Sequence, residues 1–253
     1  MPEITVAIMT LNEERNIERC LASLNGIADE ILVVDSYSTD RTEEICRQYG
    51  AKFIRHPFEG YIEQRQFSIE QSGHDHVLVI DADEALSEEL RAGIQKVKDN
   101  WTHDGYDFNR LNSFCGQWIR HCGWYPDRKM RLFDRRKATV KGSNPHDEIF
   151  LAKGASQMHL KGDLLHYTYY SVDGHIQQVN RFTSIQAKNL FERGKKASWF
   201  SILFSPPYKF FRHYFIQLGF LDGYYGYLIC RNMAYSTFLK HAKLKALWRV
   251  NNE

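Results

Sequence analysis

Asp81 and Asp83 stand one residue apart at the end of an apolar run, Val77-Leu78-Val79-Ile80, and this is where the chain could do chemistry. Two carboxylates at that spacing can face one hard cation, and oxygen ligands suit Mg²⁺ or Mn²⁺. Such an ion bridges diphosphate oxygens and takes up charge that develops on a leaving group. The same triplet can also be a pair of solvated turn acids, so its position has to decide between the two. A second candidate is Asp35, the last residue of Ile31-Leu32-Val33-Val34-Asp35, where it could accept a hydrogen bond from a nucleobase N–H. Ser38, Thr39 and Asp40 just after it are explained well enough as helix-capping side chains.

The elements that would position these acids are legible in the first 81 residues. Ile4 to Met9, Glu30 to Asp35, Lys52 to Arg55 and His76 to Asp81 are short β-rich runs bounded by polar turns, the pattern of buried parallel strands. Helical patterns alternate with them. Ile17, Leu21 and Leu24 share a face, with Asn12 as the expected N-cap. A second helix should begin near Asp40, with Glu43 completing a capping box and Ile45 and Cys46 turned inward. Strand–helix alternation with short links predicts right-handed crossovers and an α/β fold with a mostly parallel sheet. Ligands bind such sheets beyond the carboxyl ends of the strands. That rule selects residues 10–13, 35–40 and 81–84. A further helix should carry Leu90, Ile94 and Val97 on one face. Met130 to Phe133 and Leu164 to Tyr170 read as strands, and 179–191 as a helix.

Composition narrows the function classes. The 253 residues are 43% hydrophobic and 25% charged, with a formal net charge of +2. So small an excess argues against a nucleic-acid partner. The opening Met1-Pro2-Glu3-Ile4 lacks the basic and apolar segments of a signal peptide, and five cysteines without framework spacing suit a reducing compartment. A cytoplasmic location is therefore expected. The stretch from Arg181 onward is basic and aromatic.

Thr10-Leu11-Asn12-Glu13, Val33-Val34-Asp35-Ser36-Tyr37-Ser38-Thr39-Asp40 and Val79-Ile80-Asp81-Ala82-Asp83-Glu84 together resemble family-2 glycosyltransferases of the GT-A fold. Where that family usually has Gly before Ser-Thr-Asp, this chain has Tyr37-Ser38. Gly123-Trp124-Tyr125-Pro126-Asp127, Met130-Arg131-Leu132-Phe133, Pro145-His146-Asp147-Glu148 and His166-Tyr167 are similar to the branch containing lipopolysaccharide-core β-glucosyltransferases. The resemblance implies an inverting, metal-dependent enzyme that moves a hexose, glucose by the branch's example, from a nucleoside-diphosphate sugar such as a UDP-sugar to a glycan or glycolipid acceptor. Thr10, Asn12, Glu13 and Asp35 would line the nucleoside pocket, with Asp81 facing the ribose and Asp83 the metal. Gln64 and Arg65 resemble the family's donor-contacting segment, or else occupy a solvated helix face. His166 would complete the Mn²⁺ or Mg²⁺ shell, or else be structural. Arg128, Lys129 and Arg131 could hold the donor phosphates, Arg through a bidentate fork.

An inverting transfer also needs a base for the acceptor hydroxyl. Asp147 directly after His146 is the first choice and Glu148 the second. Residues 1–195 are expected to form the catalytic domain, 1–100 being its donor half and 101–195 its acceptor half. Residues 196–253 would be a helical, aromatic extension interrupted at Pro206-Pro207. It has no run near the ~20 apolar residues of a bilayer span. Its mixture of aromatic and basic residues suits a membrane surface, and a packed cap or a dimer interface competes with that reading. Three rival functions are a nucleotidyltransferase, a polyprenyl-phosphate sugar synthase and a non-catalytic binding protein. The first would place a Gly-rich loop after strand one, where this chain has Thr10-Leu11-Asn12-Glu13-Glu14.

Overall fold

The computed structural model describes Met1–Ser143 and His146–Val250, with Ser143, His146 and Asp147 described in their backbone alone. In chain order the elements are β1 (Ile4–Thr10), α1 (Ile17–Ser23), β2 (Glu30–Asp35), α2 (Thr42–Gln48), β3 (Lys52–Arg55), α3 (Tyr61–Glu70) and β4 (His76–Asp81). Next come β5 (Glu84–Leu86), α4 (Glu88–Asp99), β6 (Gly105–Phe114), β7 (Gln117–Trp118) and β8 (Asp127–Asp134). They are followed by β9 (Ala138–Ser143), β10 (His146–Leu151), β11 (Gln157–Tyr169), α5 (Val172–Glu192), α6 (Trp199–Phe211) and α7 (Gly223–Val250). One compact unit comprises Met1–Leu111 with Asp127–Tyr167, and a second comprises Asn112–Pro126 with the chain from Thr168 onward.

In the first unit the strands run in the order β3-β2-β1-β4-β8-β6-β11-β5. The first four are parallel, and β4–β8, β8–β6 and β11–β5 are antiparallel. Every side chain from Val77 to Ile80 is buried, Leu78 and Ile80 among residues of α1 and α4 on one face, Val77 and Val79 among residues of α3 and the β9–β10 hairpin on the other. Register places Thr10 beside Asp35 and Met9 beside Asp81, so the carboxyl ends of β1, β2 and β4 come out together. Leu90, Ile94 and Val97 of α4 are buried on that sheet, and Ser87 caps the helix by accepting from Leu90 N at 3.2 Å. Across it runs β11, so close at Gly162 (φ +96°) that a Cβ would strike the Leu90 backbone.

Two helix starts differ from expectation. Asn12 does not cap α1, whose N-cap is Asn16. It adopts φ +55°, a conformation Asn tolerates better than most residues, and its Oδ1 accepts Thr39 N at 2.8 Å. No capping box forms on α2 either: Glu43 reaches Arg47 at 2.7 Å and also meets Arg55. Helix α3 has no apolar stripe to betray it, because its buried side chains are Gln64, Arg65, Ser68 and Ile69.

The second unit is mostly helical. Phe114, Ile119, Cys122, Ile229 and Cys230 form its core, with Trp124 and Tyr169 packed against them. The expected interruption at Pro206-Pro207 is absent: α6 continues through both prolines and then widens to a π-turn over Arg212–Ile216. Each proline removes one donor from the ladder, but packing of α6 along α7 holds the helix together. Buried Asp222 accepts from His121 N at 2.8 Å and faces His121 Nδ1 at 2.9 Å, pinning the loop after β7 to the start of α7.

Candidate active site

The carboxyl ends of β1 and β2 are tied together by side chains of the 10–13 and 35–40 segments. Asp35 is buried and accepts from Thr10 Oγ1 at 2.9 Å and Ser38 N at 2.8 Å, with the Ser38 hydroxyl also donating to it. Ser38 Oγ in turn accepts Asn12 N at 2.8 Å. Tyr37 takes φ +65° to let this loop fold back on its own strand end, and its ring remains exposed. Gln64 is buried too: its amide donates to Ser36 Oγ at 3.1 Å and its carbonyl meets His56 Nδ1 at 2.9 Å. Of the two places open to Gln64 and Arg65, the solvated helix face is the one they do not occupy.

At the end of β4 two acids, Asp81 and Glu84, meet three arginines. Asp81 accepts from Arg65 at 2.9 Å through one oxygen and from Arg131 at 3.1 Å through the other. Glu84, whose side chain is wholly buried, accepts from Arg131 at 3.0 Å and from Asp81 N at 2.9 Å, with Arg110 at 3.6 Å. Burying a carboxylate costs several kcal/mol, so it persists only where cations and donors surround it. Burial alone would raise the Asp81 carboxyl. The guanidiniums of Arg65 and Arg131 outweigh that and hold it far below the usual carboxylate range. Arg131, a candidate phosphate ligand in the sequence, is therefore engaged with Asp81 and Glu84.

Asp83 lies on the other side of the turn. Its Oδ2 is 3.1 Å from His166 Nε2, and its carbonyl accepts Tyr167 N at 2.9 Å where β11 passes β5. Burial would lower the His166 imidazole, but the Asp83 carboxylate and then Glu84 raise it above its ordinary value. Glu13, close by, is raised as well, first by burial and then by the negative field of Asp83, Asp40 and Asp81. An oxygen and an imidazole nitrogen side by side in a negative field form a donor set that fits Mn²⁺ or Mg²⁺. Among the described residues no group of three His, Cys, Asp or Glu could hold a metal ion.

Among the described residues no hydrogen bond or ion pair joins Arg128, Lys129 or Glu148 directly to Asp81, Asp83 or Glu84. Arg128 is exposed on β8, and Lys129 pairs with Asp127 at 3.1 Å. Asp147 sits on β10 opposite Gly142, and its side chain lies outside the described residues, as does Pro145 altogether. Glu148, paired with Lys141, is exposed. Neither Glu84 nor Arg110 carries a role in the sequence reading. A signal existed: three acids within four residues at a buried strand end demand cations, and Arg65, Arg110 and Arg131 supply them.

Comparison with known proteins gives the chain a lineage. Residues 5–161 match the family described as Glycosyl transferase family 2. An uncharacterized glycosyltransferase of Rickettsia typhi is 32% identical, the alignment spanning 98% of this chain and 88% of the relative. The lipopolysaccharide core biosynthesis glycosyltransferase LpsC of Rhizobium meliloti is 30% identical over 95% of this chain and 91% of its own. Among solved structures, a mannosyltransferase of Pyrobaculum calidifontis in complex with GDP-Man and Mn²⁺ shares the fold, with a TM-score of 0.54 at 14% identity, over 98% of this chain and 88% of that one.

Proposed function

The chain belongs to glycosyl transferase family 2, and from that premise we propose that it is an inverting, metal-dependent hexosyltransferase. It takes its sugar from a nucleoside diphosphate, with UDP as the expected nucleotide. The acceptor is a lipopolysaccharide-core or other lipid-linked glycan, reached from the cytoplasmic face of a membrane. The observation that carries the donor reading is the shared strand edge, where buried Asp35, Arg-clamped Asp81 and the Asp83–His166 pair follow one another. Thr10, Asn12, Glu13 and Asp35 hold the base and ribose end, and Gln64 steadies the Ser36 turn beneath them. Asp81, fixed by Arg65 and Arg131, presents its carboxylate to the ribose. Arg128 reaches the diphosphate from the exposed side of β8. Residues 1–100 serve the donor, 101–195 the acceptor while lending Arg128, Arg131 and His166 to the donor side, and 196–253 the membrane.

Asp83 and His166 would hold the divalent ion, whose chemistry is to neutralise charge on the departing diphosphate. The acceptor hydroxyl oxygen attacks the anomeric carbon from the face opposite the nucleotide. As that bond forms, the carbon–oxygen bond to the diphosphate breaks, and the electron pair leaves with the nucleotide. The hydroxyl proton passes to a carboxylate, Asp147 first and Glu148 second. The transition state is oxocarbenium-like, as in glycoside hydrolysis. A panel of nucleotide sugars incubated with Mn²⁺ should yield free nucleotide from one of them. Asp83→Asn should abolish that release while leaving the fold intact. Undiminished turnover in excess chelator would overturn the metal assignment.

A further inference from the structure

Helix α6 presents its apolar side to solvent. Phe200, Leu203, Phe204, Tyr208, Phe211 and, one turn into the π-segment, Phe215 recur at helical spacing, and each is half exposed or more. On the opposite side Ile202 and His213 are buried where the helix meets α7. Neighbouring rings on the exposed stripe already touch, Phe200 with Phe204 at 4.7 Å and Phe211 with Phe215 at 5.2 Å between centroids. A helix of a water-exposed domain turns this face inward, and a contiguous exposed patch of such side chains marks a surface that something covers.

Charge decides what covers it. Residues 193–250 contain ten Lys and Arg and a single acid, Asp222, which is buried and occupied by the His121 loop. Lys209, half-buried on the side of α6 that faces α7, lies close enough to exposed Arg212 and to Lys240 on α7 for the three to repel one another, and no ion pair to an acid forms on any of them among the described residues. In a two-fold dimer the same face would meet itself and bring these cations together, at a cost. An anionic bilayer supplies what both features lack: acyl chains for the rings and phosphates for the cations. The helix, 13 residues long, is far too short to span, and no helix of the described residues is long and apolar enough to cross a membrane. It is of a length to lie flat.

We propose that α6 with its π-turn is an interfacial anchor: Phe200, Leu203, Phe204, Tyr208, Phe211 and Phe215 enter the acyl boundary of an anionic bilayer while Lys209, Arg212 and Lys240 bind its headgroup phosphates. The inference rests, for its purpose, on the reading of a lipid-linked acceptor. Flotation with phosphatidylcholine vesicles, with and without phosphatidylglycerol, tests it on the full chain, with nucleotide release measured in the same preparation. Wild-type protein should float with anionic vesicles at low salt and be released by high salt. Changing both Phe204 and Phe211 to Ser should weaken binding roughly a hundredfold. Because both rings are exposed, the thermal transition should stay where it is. Changing Lys209, Arg212 and Lys240 together to Gln should cost roughly a hundredfold on anionic vesicles and nothing on neutral ones. Wild-type protein left in the soluble fraction at low salt would overturn the anchor, and so would a concentration-dependent dimer broken by the two Ser changes. Nucleotide release persisting in that case would leave the donor chemistry standing. Flotation without release from any donor would do the reverse.

Discussion

Glu84→Gln removes one negative charge from the most enclosed part of the site while keeping the side chain's shape. The wild-type carboxylate is fully buried and receives Arg131 at 3.0 Å, Arg110 at 3.6 Å and Asp81 N at 2.9 Å. A glutamine can still accept from the Asp81 amide, but its own NH₂ then faces a guanidinium, donor against donor. Breaking a buried ion pair by losing one partner costs about 3–5 kcal/mol. Here Arg131 retains Asp81 and Arg110 retains Asp127 at 2.8 Å, so the lower end applies, about 3 kcal/mol. For a chain of this size that corresponds to roughly 6–12 °C in thermal midpoint. Thermal unfolding followed by circular dichroism reads the loss, with Glu88→Gln on the exposed start of α4 as control. Nucleotide affinity by titration calorimetry should fall as well, because Asp81 loses the charge that holds its partner Arg131 in place. A double cycle with Asp81→Asn should return a coupling of about 0.5–3 kcal/mol. A midpoint shift below about 2 °C with unaltered nucleotide affinity would show that water already screens this cluster, and the reasoning would fail.

Three further outcomes are expected. Asp147→Asn should lower the turnover number about 10²–10⁴-fold with nucleotide affinity unchanged, and Glu148→Gln should do less; the reverse ranking in steady-state kinetics would move the base by one residue. Burial against Phe114, Trp124 and Tyr169 pushes the His175 imidazole down from 6.5 to about 4. Because the folded value is the lower one, the unfolded chain takes up its proton first. The stability contribution is complete above about pH 6.5 and is lost, up to about 3 kcal/mol, on descending toward pH 4. His175→Phe should flatten that slope in urea titrations across the range. Gly162→Ala should destabilise by a few kcal/mol, since its Cβ would meet the Leu90 backbone at φ +96°; a thermal midpoint equal to wild type would refute the close approach.

The parallel strands and the acids at their carboxyl ends are legible in the sequence. Apolar runs with polar ends mark β1, β2 and β4 almost to the residue, because strands buried on both faces have no alternative pattern, whereas the edge strand β3 carries only Phe53 and Ile54 between Lys52 and Arg55. Asp35, Asp81 and Asp83 were legible for the same reason, being acids at the carboxyl ends of such strands. Whatever depends on a partner distant in sequence emerges only in the folded chain. Nothing local reveals that Arg131, fifty positions on, closes on Asp81, or that His166 lies 3.1 Å from Asp83. Asn12 reads as a cap until Thr39 is brought to its side chain. Helix α3 hides because it buries polar groups, whose burial is possible only with partners already in place. The prolines of α6 read as an interruption because the packing along α7 that overrides them is absent from local sequence. Periodicity records which face of an element is covered when the cover is apolar and general. Ion pairs, caps and close backbone approaches are specific to two sites at once, and those meet only when the chain has folded.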